Sequence, residues 1–105
     1  MRLSLSFILL LFSVSAVLSQ VADISKRIAI SGTVHDADNG GRMAASTVSL
    51  QPANRHVETD KDGFFSFGDL EPGDYKLSVQ FIGYEELTLP VSAEEDTVIH
   101  LYMKP

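Results

Sequence analysis

The feature that most constrains the fold is a short aromatic segment with a tight turn at each side, within residues 59–75. Asp60, Asp62 and Gly63 come before the aromatic residues, and Asp and Gly are the residues that turns favour. Pro72–Gly73 comes after them and suits the two central positions of a type II turn. Two turns this close together leave room only for a short strand between them, and a longer strand follows, so the segment is typical of a β-sandwich.

The segments on the two sides of Pro72–Gly73 alternate apolar and polar residues, as strands with one buried face do. In the first segment Phe65 and Phe67 are predicted to point inward and Phe64 outward. In the second segment four apolar residues recur at every second position: Tyr75, Leu77, Val79 and Phe81. Gly83 follows, and we expect it to mark a bulge or a bend.

The remaining chain supplies the partner strands. Further apolar alternation occurs at residues 28–35, 46–50, 56–59, 87–91 and 99–103, and no helical pattern appears after residue 20. Seven short, regularly spaced strands predict an all-β, antiparallel sandwich. The chain contains no cysteine, so its stability must come from packing rather than from disulfides.

The first 19 residues have the composition of a secretory signal peptide, helical in its apolar part. Val17 and Ser19 are small enough for the −3 and −1 positions of a cleavage site, which predicts Gln20 as the first mature residue. Cleavage after Ala22 is a second option. An uncleaved anchor is disfavoured because the apolar run, residues 3–18, is shorter than the roughly 20 residues of a spanning helix. The sequence therefore predicts an exported protein, periplasmic, associated with the outer membrane, or secreted.

Removal of 19 of the 105 residues leaves 86, enough for one small domain. We assign residues 20–27 to a short leader and residues 28–105 to the domain. The mature chain has 7 basic and 14 acidic residues once Arg2 is removed. An acidic domain without a basic patch argues against nucleic acid and against anionic lipid surfaces.

Two candidate metal sites are disfavoured by their spacing and context. The spacing from Glu58 through Asp60 and Asp62 to Asp69 resembles part of a calcium loop, but the flanking segments are strands and the twelfth position lacks Glu. We therefore interpret Asp60, Asp62 and Gly63 as structural turn residues. Three histidines, at positions 35, 56 and 100, fall on the outward parity of their strands, whereas zinc needs three or four converging ligands. No metal or other cofactor is expected.

No catalytic residue is expected either. The chain has no Gly-x-Ser-x-Gly elbow, its carboxylates lie in turns, and a small domain leaves little material for a cleft. The sequence therefore predicts a protein without enzymatic activity. Carbohydrate binding is the alternative that stays open, because Phe64, Tyr84 and Tyr102 lie off the apolar stripe and sugar platforms use exposed aromatic rings.

A protein partner is the preferred prediction, through an exposed strand edge. The candidate edge consists of Leu87, Thr88, Leu89, Pro90 and Val91. Pro90 cannot donate a ladder hydrogen bond and is therefore typical of an edge strand.

Several motifs, in this order, resemble the carboxypeptidase regulatory-like domain. They are Ile30-Ser31-Gly32-Thr33-Val34, Ala45-Ser46-Thr47-Val48-Ser49-Leu50, Thr59-Asp60-x-Asp62-Gly63-x-Phe65, Leu70-x-Pro72-Gly73-x-Tyr75 and Ile82-Gly83-Tyr84. The resemblance implies a transthyretin-like, seven-stranded Greek-key sandwich and a non-catalytic module. Such domains accompany metallocarboxypeptidases and often precede the plug of TonB-dependent outer-membrane receptors. The resemblance thus implies an accessory or protein-interaction module of the bacterial cell envelope, either alone or at the front of a longer receptor.

Overall fold

A computed structural model describes residues 26–105 and confirms an all-β sandwich of seven strands. The predicted signal peptide, with its cleavage site between Ser19 and Gln20, lies outside the described residues. The strands are β1 (Ile28–Asp36), β2 (Thr47–Gln51), β3 (Arg55–Glu58), β4 (Phe64–Leu70), β5 (Gly73–Gln80), β6 (Leu87–Ala93) and β7 (Thr97–Met103). Within residues 26–105 no helix is long and apolar enough to cross a membrane.

The strands form a three-stranded sheet, ordered β4-β1-β7, and a four-stranded sheet, ordered β3-β2-β5-β6. All pairs are antiparallel except β1 and β7, which run parallel. The expectation of a wholly antiparallel sandwich was therefore wrong for this pair. The reason is topological, because β6 lies in one sheet and β7 crosses to the other, so β7 meets β1 rather than a hairpin partner.

The two sheets enclose one apolar core. Phe65 and Phe67 are buried and pack edge to face with their ring centroids 6.2 Å apart, which confirms the predicted inward parity. Phe64 is 46% exposed. The rest of the core follows the same period of two, with these buried residues: Ile28, Ile30, Val34, Met43, Val48, Leu50, Leu70, Leu77, Val79, Val91, Ala93, Leu101 and Met103.

The predictions for the two glycines, Gly73 and Gly83, have different outcomes. Gly73 is the first residue of β5, and its φ of +157° is far from the value near +80° that a type II turn needs at that position, so the type II assignment of Pro72–Gly73 was wrong. Asp69 also has a positive φ, but it lies within β4, where the register with β1 shifts. Gly83, predicted as a bulge or bend, has a φ of +89° in a turn closed by a 3.1 Å bond from Tyr84 N–H to the Phe81 carbonyl.

The connections differ in length between the two ends of the sandwich. At one end, where β1 and β7 finish, lie residues 37–46, 59–63 and 81–86. We call this the loop end. At the other end the connections are only two or three residues long: 52–54, 71–72 and 94–96. Long loops on a rigid scaffold are where sandwich domains usually place their binding residues, so the loop end is the first place to look for a site.

Candidate interaction sites at the loop end, an outer sheet face and an edge

The loop end contains an open groove of about 530 Å³. Its volume falls in the range of roughly 300–1,000 Å³ that is usual for binding pockets. The lining combines aromatic, aliphatic, amide, hydroxyl and carboxylate side chains: Ala45, Thr47, Gln80, Phe81, Ile82, Tyr84 and Glu86.

The tip of the groove is formed by the turn from Phe81 to Tyr84. Ile82 is 96% exposed there, and Phe81 is 37% exposed. The Phe81 and Tyr84 rings meet edge to face, with their centroids 5.6 Å apart. The backbone N–H of Glu85 donates to the Lys104 carbonyl at 2.8 Å, which ties the loop to the end of β7. An aliphatic side chain is therefore held in solvent on a well-anchored loop.

A hydrogen bond joins this loop to the loop after β1. The Tyr84 hydroxyl donates to the Asp36 carboxylate. This bond lowers the pKa of Asp36 from its ordinary value, helped by the backbone N–H of Asp38, which donates to the same carboxylate at 2.8 Å. The same bond raises the pKa of Tyr84, because ionised tyrosine could not donate to a carboxylate. Tyr84 thus fixes one wall of the groove.

The Asp60 turn also lies at the loop end, and its contacts are internal. Asp60 Oδ1 accepts the backbone N–H groups of Asp62 and Phe64 at 2.9 and 3.0 Å, and Gly63 takes a φ of +74°. Asp69, the twelfth residue of the calcium-like spacing, lies near the far end of β4 and is 3.6 Å from Arg27. Within β4 the five residue steps from Phe64 to Asp69 span roughly 16 Å. Asp60 is bonded to Phe64 at the start of that strand, so Asp60 and Asp69 cannot share one ion. Residues 26–105 contain no cluster of three metal-ligating side chains.

A polar chain crosses the outer face of the three-stranded sheet. Thr33 Oγ1 lies 2.8 Å from both His35 Nε2 and His100 Nδ1, and His35 Nδ1 lies 3.1 Å from the Gly40 carbonyl. Because a carbonyl only accepts, Nδ1 of His35 carries the proton, and the Nε2 of a neutral His35 accepts from Thr33. Thr33 then accepts from His100 Nδ1–H, so one hydroxyl links the two histidines.

Two of the three aromatic residues proposed for sugar binding share this outer face. Phe64 pairs with Thr33 on one side, and Tyr102 pairs with His35 on the other. The His35 and Tyr102 rings stack with centroids 5.1 Å apart, and Tyr102 is 55% exposed. Tyr84 lies at the groove instead. The pairing of two histidines from distant strands could not be seen in the sequence.

The predicted edge strand β6 borders the four-stranded sheet. Pro90 pairs with Lys76 inside an unbroken ladder, and since proline has no N–H, Pro90 must occupy a position whose backbone groups point away from β5. Residues two positions apart share that direction, so the N–H groups of Thr88 and Ser92 face outward. On the opposite side of the sandwich Arg55 donates to the Gly68 carbonyl at 2.6 Å and links β3 to β4. β7 is the edge strand of the three-stranded sheet and lies on the same side of the sandwich as β6. The sequence did not indicate this second edge.

The fold is shared by proteins of different activities. A type II cohesin–X-dockerin complex from Acetivibrio cellulolyticus gives a TM-score of 0.62 at 20% identity, over 72% of this chain and 56% of the other. A 3-chlorocatechol 1,2-dioxygenase from Rhodococcus opacus 1CP gives a TM-score of 0.60 at 12% identity, over 74% of this chain and 60% of the other. A protein from Bacteroides uniformis that is provisionally described as carbohydrate-binding gives a TM-score of 0.55 at 9% identity, over 72% of this chain and 40% of the other.

This chain therefore spans less than two thirds of each of these structures, and identities this low show a shared sandwich fold alone. No curated protein matches the sequence. Residues 29–104 match the carboxypeptidase regulatory-like domain over almost the whole described region, in agreement with the motifs that suggested it. The chain belongs to the carboxypeptidase regulatory-like domain family.

Proposed function

We propose that this protein is a non-catalytic module that binds a protein partner by strand addition to β6. The observation that supports it best is the open edge of the four-stranded sheet, where Thr88 and Ser92 present N–H groups that β5 does not use. Backbone groups at such an edge pair readily with an extended segment of another chain. Glu85 and Glu86 precede the edge and would favour a partner with Lys or Arg at the facing position.

The test uses three forms of the domain, because proline removes the outward N–H of Thr88 while valine keeps it. Thr88→Val serves as the matched control, since it loses only the hydroxyl that lies 3.3 Å from Ser78 Oγ. We expect wild type and Thr88→Val to capture the same protein from an envelope extract and Thr88→Pro to lose it, with all three equally folded by circular dichroism. Equal capture by all three, or capture of nothing specific by wild type, would contradict strand addition.

Export and cellular context belong to the same proposal. The apolar N-terminal segment and the small residues Val17 and Ser19 support cleavage before Gln20 and export to the bacterial envelope. Family membership supports an accessory role, and the N-terminal part of a TonB-dependent receptor is one such setting. The intact mass of the exported protein tests the first point, because a mass that retains Met1 to Ser19 would refute cleavage there.

Carbohydrate binding is the second candidate, favoured by the outer face of the three-stranded sheet. Phe64 and Tyr102 expose aromatic surface on this face, and His100 adds a polar ring beside them, since Thr33 pairs with both Phe64 and His100. Neutral sugars bind such combinations through ring stacking and hydrogen bonds. A glycan array with wild type and Tyr102→Ala tests it, and a reproducible glycan that Tyr102→Ala loses would support this function in place of partner binding.

A further inference from the structure

We propose that the groove at the loop end binds a short peptide segment of the partner, one that carries an apolar side chain next to Lys or Arg. This inference rests on the proposed function and names a second contact surface for it. The groove is distinct from the β6 edge, since most of its lining comes from the loop after β5 and from residues 45 and 47.

The shape of the site fits a peptide rather than a single small side chain. A groove of about 530 Å³ has room for two or three side chains of the size of Leu. Ile82 stands at its rim with 96% of its surface exposed, next to the half-covered ring of Phe81. A ligand that covers Ile82 would remove an apolar side chain from water, which is favourable in free energy. Within the described chain no contact covers this side chain.

The loop that presents this surface is already ordered. Tyr84 is bonded to Asp36, the Phe81–Tyr84 turn is closed by a backbone bond, and Glu85 is bonded to the carbonyl of Lys104. A ligand therefore would not have to order the loop as it binds, and less of the binding free energy is lost to conformational entropy.

The charges around the groove favour some ligands over others. Glu86 lines the groove and Glu85 is next to it. The rest of the loop end carries both signs of charge: Asp36, Asp38, Asp60 and Asp62 with Arg42, Lys61 and Lys104. Ion pairs within 4 Å in the described chain involve only Arg27, so neither glutamate is neutralised by a close cation, although Lys104 lies nearby. Anionic lipid and a second copy of this acidic chain would both be repelled, whereas a Lys or Arg beside an apolar anchor would be attracted.

The experiment measures binding to a library of blocked hexapeptides by fluorescence anisotropy, with one Leu or Phe next to Lys, Glu or Gln. We expect the Lys peptides to bind best. Ile82→Ser should weaken that binding about 10-fold through lost apolar contact, and Glu86→Gln about 3-fold at low salt and less at high salt. Val98→Ser is the matched control, since Val98 is 68% exposed and lies in β7 near the opposite end.

Each outcome decides one point. No preference for Lys over Glu, or equal affinity of Ile82→Ser and wild type, would overturn the groove proposal. Loss of partner capture by Thr88→Pro alongside such a result would leave strand addition at β6 in place. Retained peptide binding with no effect of Thr88→Pro on capture would instead refute strand addition and keep the groove.

Discussion

Gly32→Ala should strongly destabilise the protein, although it adds a single methyl group inside a strand. A Cβ at position 32 would lie 1.7 Å from the backbone carbonyl oxygen of Ile99, whereas real Cβ contacts essentially never fall below 3.0 Å. The strands β1 and β7 would have to separate by about 1.3 Å, which stretches a hydrogen bond of roughly 2.9 Å beyond its useful length. β1 cannot move away freely, because β4 pairs with its other edge.

The magnitude follows from the bonds that are lost. Two ladder bonds with buried, unsatisfied groups cost about 1–3 kcal/mol each, so the loss is about 2–6 kcal/mol, a large part of the stability of a small domain. Gly68→Ala is the control, because nothing lies within 4 Å of its Cβ position. Urea unfolding followed by circular dichroism gives both values. A Gly32→Ala protein within about 1 kcal/mol of wild type would refute the close approach of β1 and β7.

The other predictions concern single side chains. Phe65→Ala should cost about 3–5 kcal/mol in urea unfolding and Phe64→Ala clearly less, since only Phe65 is core; equal losses would contradict the assigned faces. Asp60→Ala should cost about 1–2 kcal/mol through two lost turn bonds, and millimolar calcium should leave the melting temperature of wild type unchanged; a calcium-dependent rise would reverse the structural interpretation. Tyr84→Phe should reduce stability at neutral pH, and the difference from wild type should shrink below about pH 4, as the lowered pKa of Asp36 is passed, and above about pH 10, as the raised pKa of Tyr84 is passed. A difference that stays constant across that range would exclude the bond as its cause.

The parts of the fold that sequence predicted are those with a local cause. Inward Phe65 and outward Phe64 follow from a period of two that tertiary contacts reinforce. The type II assignment at Pro72–Gly73 failed because Gly73 already belongs to β5, and its backbone angles follow the pairing of that strand with β6. The preference of a dipeptide for a turn does not tell which backbone angles the packed sheets will impose on it.

The missed features of the candidate sites depend on contacts between distant residues. Thr33 and His100 are 67 positions apart, and Asp36 and Tyr84 are 48 apart. Parity correctly placed each histidine on an outer face, but only the parallel pairing of β1 with β7 brings His35 next to His100. Without that pairing the two rings are independent surface residues, so no local pattern could have indicated the polar chain.

The groove and the β6 edge meet at Glu86, which lines the groove and precedes Leu87, the first residue of β6. A strand added through backbone bonds alone has no fixed register, because every residue offers the same N–H and carbonyl groups. An apolar anchor in the groove would fix that register.

If one partner segment uses both surfaces, Ile82→Ser and Thr88→Pro should be strongly non-additive, with the double variant binding hardly more weakly than the worse single variant. If two separate segments bind, the fold-losses of the single variants should multiply in the double variant. Titration of the purified partner against the four proteins, with Val98→Ser as the reference for an unrelated exposed site, distinguishes the two cases.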